Sequence, residues 1–257
     1  MANCKIISSL NYKGGVGKST LIILLSRFLA KLGFRVLVID QDGQNSTSFH
    51  FAVPEKELNG KSLYRAYYDG KLKENIAKTK YNVDIIVSSF YLNKLRSLPN
   101  IELKRLINES NIKEDYDFIL IDTPPNLDYF CYSAALVADK IIVPYTLGEF
   151  DIKTTASTID MVIETLDISP SKFHTVANIV DGGITGGEEN LNTQFVWLAQ
   201  ELLPDYPTKH YIPKSKPLKK AMARGETISQ AQNKVNIYNA LCSFFEDITD
   251  CKRPTSF

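Results

Sequence analysis

The stretch from Asn11 to Thr20, NYKGGVGKST, limits the possible folds of this chain more than any other segment. The apolar run at 5–10 before it is typical of a strand, and the apolar residues at 21–32 after it recur at helical spacing. Strand, glycine-rich turn and helix in this order bring backbone N–H groups and a helix N-terminus onto one anion. The sequence therefore predicts a phosphate-binding loop and a helix that begins at about Lys18. The alternative is a Gly/Lys turn that happens to precede a helix.

The residues of the loop have different expected tasks. Gly14, Gly15 and Gly17 can adopt positive φ and keep side chains away from the phosphates. Lys18 can reach the β- and γ-phosphates, and Ser19 can give its hydroxyl to Mg²⁺. This part of the chain is therefore expected to bind a nucleotide.

The loop is a variant of the ordinary pattern, of the form K-G-G-x-G-K-[ST]. Tyr12 stands where the strict pattern has a glycine, and Lys13 is an additional lysine at the front. Because Lys18 already covers the β/γ side, Lys13 has no obvious task on its own nucleotide. It could reach across a two-fold interface and stabilise charge on the partner's ATP, as an arginine finger would. The alternative is an exposed lysine that is attracted to the same phosphates.

Length and composition are those of a globular protein. The chain has 257 residues, of which 44% are hydrophobic and 23% charged, and its formal net charge is +1. A polyanion partner would therefore have to bind a local basic patch. The cysteines form no C-x-x-C pair, and no signal peptide or apolar run of membrane-spanning length is visible, so we expect a cytoplasmic protein.

Strand and helix patterns alternate along the chain and predict one α/β domain over 1–257. The sheet is expected to be doubly wound and mostly parallel, with helices on both faces. Further strands are expected at 35–39, 83–87, 116–122, 140–143 and 173–180, with a last one ending near 212–213. Further helices are expected at 63–68, 92–110, 150–166, 190–203 and 235–248, and 45–60 is expected to be loop with one short helix.

Three acidic residues follow predicted strands. Asp122 ends an apolar run and precedes two prolines, the position of a Mg²⁺-organising carboxylate in phosphate-loop enzymes. Asp40 and Asp42 end another strand, and their spacing would place both side chains on the same side of an extended chain. One could hold water on Mg²⁺ while the other orients the water that attacks the γ-phosphate. The alternative is that all three acids cap turns.

These segments together resemble the ParA family of partitioning ATPases, in the deviant-Walker-A group that also holds MinD and the nitrogenase iron protein. The motifs that carry the resemblance are Lys13–Thr20, Asp40–Asp42 and Ile121–Pro125, and weaker similarity continues at Ala138–Pro144 and from Tyr211 to Gly225. The resemblance covers nearly the whole chain.

The resemblance implies ATP and Mg²⁺ as cofactors and a homodimer that sandwiches two ATP molecules. It implies catalytic roles for Lys13, Lys18 and Asp42. It assigns Mg²⁺ to Ser19, Asp40 and Asp122, and it implies nucleotide contacts from Gly14, Gly15, Val16, Gly17, Lys18, Ser19 and Thr20, with adenine contacts from Asn178 and Pro213. One departure is Gly43, where the family usually has proline, and this predicts a looser loop after Asp42.

ATP-dimerised family members bind DNA non-specifically and release it after a ParB-type partner stimulates hydrolysis. A matching basic segment, 209–224, contains no acid. Its expected DNA contacts are Lys214, Lys216, Lys219, Lys220 and Arg224, with Lys209 at its start. The alternative is a solvated helix face. The resemblance implies plasmid or chromosome partitioning, with nucleoid association in the ATP-bound state.

Other functions fit the sequence less well. A MinD-like role on a membrane needs a basic amphipathic C-terminal helix, whereas the segment 238–248 turns acidic after its aromatics. An electron-transfer ATPase needs two cysteines placed for a shared cluster, whereas Cys131 alone lies directly after the Asp122 strand and only Cys4 precedes it. An inactive scaffold would lack the loop lysine or the acids. The first strand begins near residue 5, so no N-terminal helix-turn-helix domain is expected.

Overall fold

The structure has a strand in each of the segments where the sequence predicted one. A computed structural model describes residues 4–181, 190–226 and 235–252. Within these ranges eight strands form one sheet in the order β3-β4-β2-β5-β1-β6-β7-β8. The strands are β1 Lys5–Ser9, β2 Val36–Asp40, β3 Ala77–Lys78, β4 Asp84–Ile86, β5 Phe118–Asp122, β6 Lys140–Tyr145, β7 Phe173–Val180 and β8 Tyr211–Pro213.

Helices connect most of these strands. The α-helices are α1 Lys18–Lys31, α2 Ser46–Phe51, α3 Glu55–Leu58, α4 Leu63–Asp69, α5 Glu102–Glu109, α6 Tyr129–Val137, α7 Glu149–Leu166, α8 Leu191–Leu202, α9 Lys216–Ala223 and α10 Val235–Thr249. Short 3-10 helices lie at Lys73–Asn75, Phe90–Leu95, Ile112–Glu114 and Pro170–Lys172. The α/β class with a mostly parallel, helix-flanked sheet is thus confirmed.

The described residues fall into two compact units. The first comprises the described residues of 1–10 and 18–141, and the second those of 11–17 and 142–257. In the first unit β5 pairs in parallel with β1 and with β2, β2 pairs in parallel with β4, and the short edge strand β3 is antiparallel to β4. In the second unit β7 pairs in parallel with β8.

The central strands of the first unit are buried along their whole length. Every residue of β2 and β5 is buried, as expected for parallel strands covered on both faces. Their register pairs Asp40 with Asp122, and Asp122 also pairs with Ser9 on β1. Three neighbouring strands therefore end on one line, and each presents a polar residue there.

Two of the expected elements were wrong in detail. The helix expected at 92–110 is instead the 3-10 helix Phe90–Leu95 followed by α5 Glu102–Glu109. Pro99 lies between them, and proline removes a helical hydrogen bond and disfavours helical geometry at the residue before it. The strand expected to stop before Pro144 instead continues to Tyr145, so Pro144 is its last residue but one.

Some elements were not expected at all. These are the helix α6 and the antiparallel edge strand β3. The segment 45–60, for which one short helix was expected, contains two short helices, α2 and α3. None of the helices that the structure describes combines the length and the apolar character needed to cross a bilayer.

Candidate active site

The first half of the glycine-rich loop belongs to the second unit, where Asn11 fixes its start. The Asn11 Nδ2 donates to the Pro144 carbonyl at 2.9 Å and to the Thr155 hydroxyl at 3.0 Å, and its Oδ1 accepts from the Lys13 N–H at 2.9 Å. Asn11 is completely buried. The loop is thus held at its base by β6 and α7.

The glycines of the loop differ in conformation. Gly15 has φ 77° and Gly17 has φ 102°, a region that strongly favours glycine, whereas Gly14 is not among the glycines with positive φ. The expectation of positive φ was therefore right for two of the three.

Asn178 on β7 holds the second turn of the loop. Its Nδ2 donates to the Val16 carbonyl at 2.8 Å, and the side chain is buried. A Cβ on Gly17 would lie only 2.1 Å from this Nδ2. Asn178 thus contacts the loop backbone, while Pro213 lies on β8 opposite Val180. Adenine contacts from Asn178 and Pro213 stay a prediction.

Gly17→Ala is expected to lower nucleotide affinity by at least about tenfold, equivalent to about 1.4 kcal/mol. Alanine at this φ is strained, and its Cβ must also displace the Asn178 amide. Gly33→Ala is the matched control, since Gly33 has φ 88° and a Cβ added there would meet nothing within 4 Å. Titration with a fluorescent ATP analogue measures the difference. Equal affinity of the two variants would show that Gly17 has no special role.

The helix α1 begins at Lys18, as the sequence predicted, and carries Ser19 and Thr20 in its first turn. Lys18 is buried, and this burial lowers the pKa of its ammonium group. The charges of Asp122 and Asp42 oppose that shift of the pKa. A buried cation at a helix N-terminus is suited to bind an anion.

Two completely buried carboxylates end the neighbouring strands of the first unit. Asp40 accepts from the Ser48 N–H at 2.8 Å, the Ser48 hydroxyl at 2.6 Å and the Asp42 N–H at 3.0 Å. Asp122 accepts from the Thr47 hydroxyl at 2.6 Å. The short helix α2 therefore supplies the hydroxyls that orient both acids.

Burial raises the pKa of both carboxyl groups. The Asp122 charge raises the pKa of Asp40 further, while hydrogen bonds from Ser48 oppose the shift. At Asp122 the Thr47 and Ser19 hydroxyls and the Lys18 charge oppose it. Two adjacent buried carboxylates are costly to ionise together, and a bound cation would remove that cost.

The side chains at the ends of β2 and β5 and at the start of α1 are suited to bind Mg²⁺. Among the residues that the structure describes, Asp122 Oδ1 is buried without a hydrogen-bond partner. Those residues contain no group of three His, Cys, Asp or Glu side chains placed for a metal, so a site here would rest on two carboxylates and a hydroxyl. That set suits Mg²⁺, which keeps waters and binds substrate phosphates. Asp40, Asp122 and Ser19 are the residues that would hold it.

Asp42 lies in a turn rather than at the end of β2, which stops at Asp40. The expectation that strand alternation places Asp40 and Asp42 on one side therefore does not apply. The turn is closed by the Asn45 N–H, which donates to the Asp42 carbonyl at 2.8 Å, and by the Gln44 N–H, which donates to Asp42 Oδ1 at 2.9 Å. Gly43 in this turn does not have positive φ.

Lys13 forms an ion pair with Asp151 in the first turn of α7 and lies 6.0 Å above the Phe150 ring. Asp151 also accepts from the Thr146 hydroxyl. Within one chain, the additional lysine of the loop is therefore held by a carboxylate of the same unit. Its predicted action on a partner's ATP stays a prediction.

The basic segment forms an amphipathic helix. α9 buries Ala221 and exposes Lys216, Lys219 and Lys220, with Arg224 directly after its end. Two of the expected DNA contacts are engaged within the chain: Lys214 pairs with Asp181 at 2.5 Å and Arg224 with Glu226 at 3.8 Å.

Sequence reasoning missed several residues that shape these sites. They are Asn11, Thr47, Ser48, Ser88 and Asp151. The hydroxyl-rich run at 46–48, directly after the acids, was the one signal that could have indicated Thr47 and Ser48. Asn11, Ser88 and Asp151 meet their partners only through the folding of distant segments.

Comparisons with known proteins agree with this geometry. The model of the AAA_31 family, described as an AAA domain, matches residues 4–171. The sporulation initiation inhibitor protein Soj of Bacillus subtilis (strain 168) is 26% identical over 234 residues, which cover 87% of this chain and 90% of Soj.

Two solved structures share the fold. A putative plasmid partition protein from Borrelia burgdorferi B31 bound to AMPPNP has a TM-score of 0.77 and 24% identity, covering 95% of this chain and 99% of that one. The septum site-determining protein MinD of Pyrococcus horikoshii OT3, complexed with Mg-ADP, has a TM-score of 0.75 and 24% identity, covering 95% and 96%. The chain belongs to the AAA_31 family and is a ParA-family member of the MinD/ParA group of ATP-binding ATPases.

Proposed function

We propose that this protein is a Mg²⁺-dependent ATPase that partitions DNA, either a plasmid or a chromosome. The observation that carries the ATPase part is the buried Lys18 at the start of α1, directly after the glycine-rich turn, together with the buried Asp40 and Asp122 that end neighbouring strands of the same unit. The AMPPNP and Mg-ADP in the two solved relatives support ATP and Mg²⁺ as the cofactors.

Each residue of the site has a task in this proposal. Lys18 binds the β- and γ-phosphates, together with the N–H groups of the loop. Ser19 binds Mg²⁺ directly, and Asp40 and Asp122 orient its waters, while the bound ion neutralises charge on the phosphates. Asp42, which is 8% exposed, positions the attacking water.

Dimerisation gives the ATPase its switch. ATP binding brings two copies together, and Lys13 of each copy leaves Asp151 and contacts the partner's nucleotide. The dimer then binds DNA through α9 and its flanking basic residues. A ParB-type partner stimulates hydrolysis, which returns the protein to its original state and releases it from the nucleoid.

The basic face of α9 supports DNA as the surface to which the ATP-bound dimer binds. Lys216, Lys219 and Lys220 lie three and four residues apart, so they share one side of the helix. Lys219 and Lys220 are exposed, and neither forms an ion pair with a described carboxylate. Contacts of this kind bind phosphates without reading sequence.

The double variant Lys219→Glu/Lys220→Glu is expected to abolish binding to random-sequence duplex DNA while ATP affinity is unchanged. Wild-type affinity should fall steeply as the salt concentration rises, because each phosphate contact releases counterions. Fluorescence anisotropy with ATP and with ADP, at two salt concentrations, measures both. Lys56→Glu/Lys104→Glu is the charge-matched control, since both lysines are exposed outside the basic segment.

Unchanged DNA affinity in the α9 variant would exclude α9 as the DNA surface. Absence of DNA binding by the wild-type protein in every nucleotide state would exclude the partitioning role itself. The alternative function, a MinD-like ATPase that positions proteins on a membrane or another surface, would then be favoured. Flotation with anionic liposomes in the presence of ATP tests that alternative directly.

A further inference from the structure

Two exposed tyrosine rings and one partly buried tyrosine ring form a cluster on elements that are hydrogen-bonded to the turn that carries Asp42. The tyrosine cluster consists of Tyr64 and Tyr68 on α4 and Tyr91 on the 3-10 helix Phe90–Leu95. The Tyr64 ring centroid lies 5.6 Å from that of Tyr91 and 6.4 Å from that of Tyr68. Tyr68 is 78% exposed and Tyr91 56%. Stacked rings that remain this exposed are typical of a binding surface.

Both elements that carry the tyrosine cluster are hydrogen-bonded to the catalytic turn. From α4, the Tyr67 hydroxyl donates to Gln41 Oε1 at 3.1 Å. Two residues before the 3-10 helix, the Ser88 hydroxyl donates to the Asp42 carbonyl at 2.7 Å. The Leu63 N–H donates to the Val87 carbonyl at 2.8 Å and joins the two elements. A ligand that shifts either element therefore acts on the residues around Asp42.

Gln41 is itself firmly held. Gln41 stands between Asp40 and Asp42 in the sequence, and its side chain is completely buried. Its Nε2 donates to the Phe130 carbonyl at 2.8 Å. Its Oε1 accepts from the Tyr67 hydroxyl at 3.1 Å and, at the longer distance of 3.5 Å, from the Ser133 hydroxyl. Tyr67 is a positioning residue in this arrangement, because it acts on Asp42 through Gln41.

The charges around the tyrosine cluster indicate the chemistry of its ligand. The Lys94 ammonium lies 5.0 Å from the Tyr91 ring, and no carboxylate of the described residues forms an ion pair with it. The other nearby cations are neutralised within the chain: Arg65 pairs with Asp69 at 2.9 Å and Arg96 with Asp128 at 3.1 Å. A ligand with a carboxylate beside an apolar group would complement this surface.

A nucleic acid fits the same surface less well. Aromatic rings do stack on bases, but such sites also line the backbone with several cations. Here one lysine has no ion-pair partner among the described carboxylates, and the guanidinium groups of Arg65 and Arg96 are already paired with Asp69 and Asp128, so the surface does not offer the several cations that a phosphate backbone needs. We propose that the tyrosine cluster and Lys94 bind a peptide segment of a partner protein in which an acidic residue stands beside an aromatic or aliphatic one. Binding of this peptide alters ATP hydrolysis through Tyr67 and Gln41. The regulatory half of this inference rests on the proposed ATPase function.

Peptide selection tests the chemistry of the ligand directly. Phage-displayed random peptides are selected on the full-length wild-type protein and counter-selected on Tyr68→Ala/Lys94→Glu. Trp197→Ala, which removes an exposed aromatic of α8, is the matched control. Enriched peptides should carry Asp or Glu beside Trp, Phe, Tyr or Leu. They should bind the double variant at least about tenfold more weakly and the control equally well.

Three outcomes of the selection would overturn the docking surface. They are enrichment of basic peptides, binding that survives in the double variant, and no enrichment at all. Tight binding of a labelled single-stranded oligonucleotide that depends on Tyr68 and Lys94 would assign the surface to nucleic acid instead. Sedimentation that shows a change of dimerisation in the double variant would assign it to contact between two copies.

The Tyr67→Phe variant tests the connection to Asp42. It should bind the selected peptide with wild-type affinity, because Tyr67 is not part of the exposed cluster. It should no longer change its hydrolysis rate when the peptide binds, because the hydroxyl that contacts Gln41 is missing. A retained response would overturn the connection. Absence of ATP hydrolysis in the wild type would count against the proposed function and leave the peptide-binding result to decide the surface.

Discussion

Replacing Asp42 by asparagine is expected to slow ATP hydrolysis by about a hundred- to ten-thousand-fold while ATP affinity stays nearly unchanged. The substitution keeps the shape of the side chain, and the asparagine oxygen can still accept from the Gln44 N–H. What is lost is the negative charge that we propose to orient the attacking water. Because Asp42 is not one of the expected Mg²⁺ residues, the cofactors should still bind. Phosphate release under single-turnover conditions, together with equilibrium ATP binding, separates the two effects.

The matched control is Asp205→Asn, which neutralises an exposed carboxylate of the second unit. It should hydrolyse ATP at the wild-type rate. A loss of ATP binding in Asp42→Asn would indicate that Asp42 holds the cofactors, and a wild-type rate would remove it from the reaction. If hydrolysis alone is lost, Asp42→Asn also provides a form with ATP retained for DNA-binding experiments.

The residues that could be predicted from the sequence are those whose role depends on local order. Lys18 begins a helix directly after the glycine-rich turn, and Asp40 and Asp122 each end a buried strand. Parallel strands place their carboxyl ends on the same edge, so the meeting of the two acids follows from strand patterns alone. The family resemblance added roles to these residues.

The residues that could not be predicted are those whose partners lie far away in the chain. The Lys13–Asp151 pair joins residues 138 positions apart, and the Ser88 contact with Asp42 spans 46. No periodicity reports such contacts, because they depend on how loops pack. The prediction of one helix at 92–110 was wrong for a different reason. The apolar residues have helical spacing, but Pro99 interrupts the helix because it lacks the N–H for a helical hydrogen bond.

Lys13→Ala is expected to abolish ATP-dependent dimerisation and, with it, ATP-dependent DNA binding, while each chain still binds ATP. In the proposed mechanism Lys18 and the loop N–H groups contact the chain's own nucleotide, and the substitution removes only the charge that Lys13 would supply to the partner. Sedimentation velocity with ATP on the Asp42→Asn background measures the dimer without turnover. Lys153→Ala is the control, since Lys153 pairs with Glu149 on the exposed side of α7.

The Lys13–Asp151 ion pair leads to a second prediction, in which removing the Asp151 charge has the opposite effect on dimerisation. If Lys13 must leave Asp151 to reach a second copy, then Asp151 competes with dimerisation, and Asp151→Asn should strengthen the ATP-dependent dimer. The buried Asp151 side chain also accepts from Thr146, and asparagine can keep that hydrogen bond while losing the charge that holds the lysine. Opposite effects of Lys13→Ala and Asp151→Asn on the dimer are therefore expected. If both variants weaken the dimer equally, the ion pair instead supports the loop within the dimer, and Lys13 does not exchange between two partners.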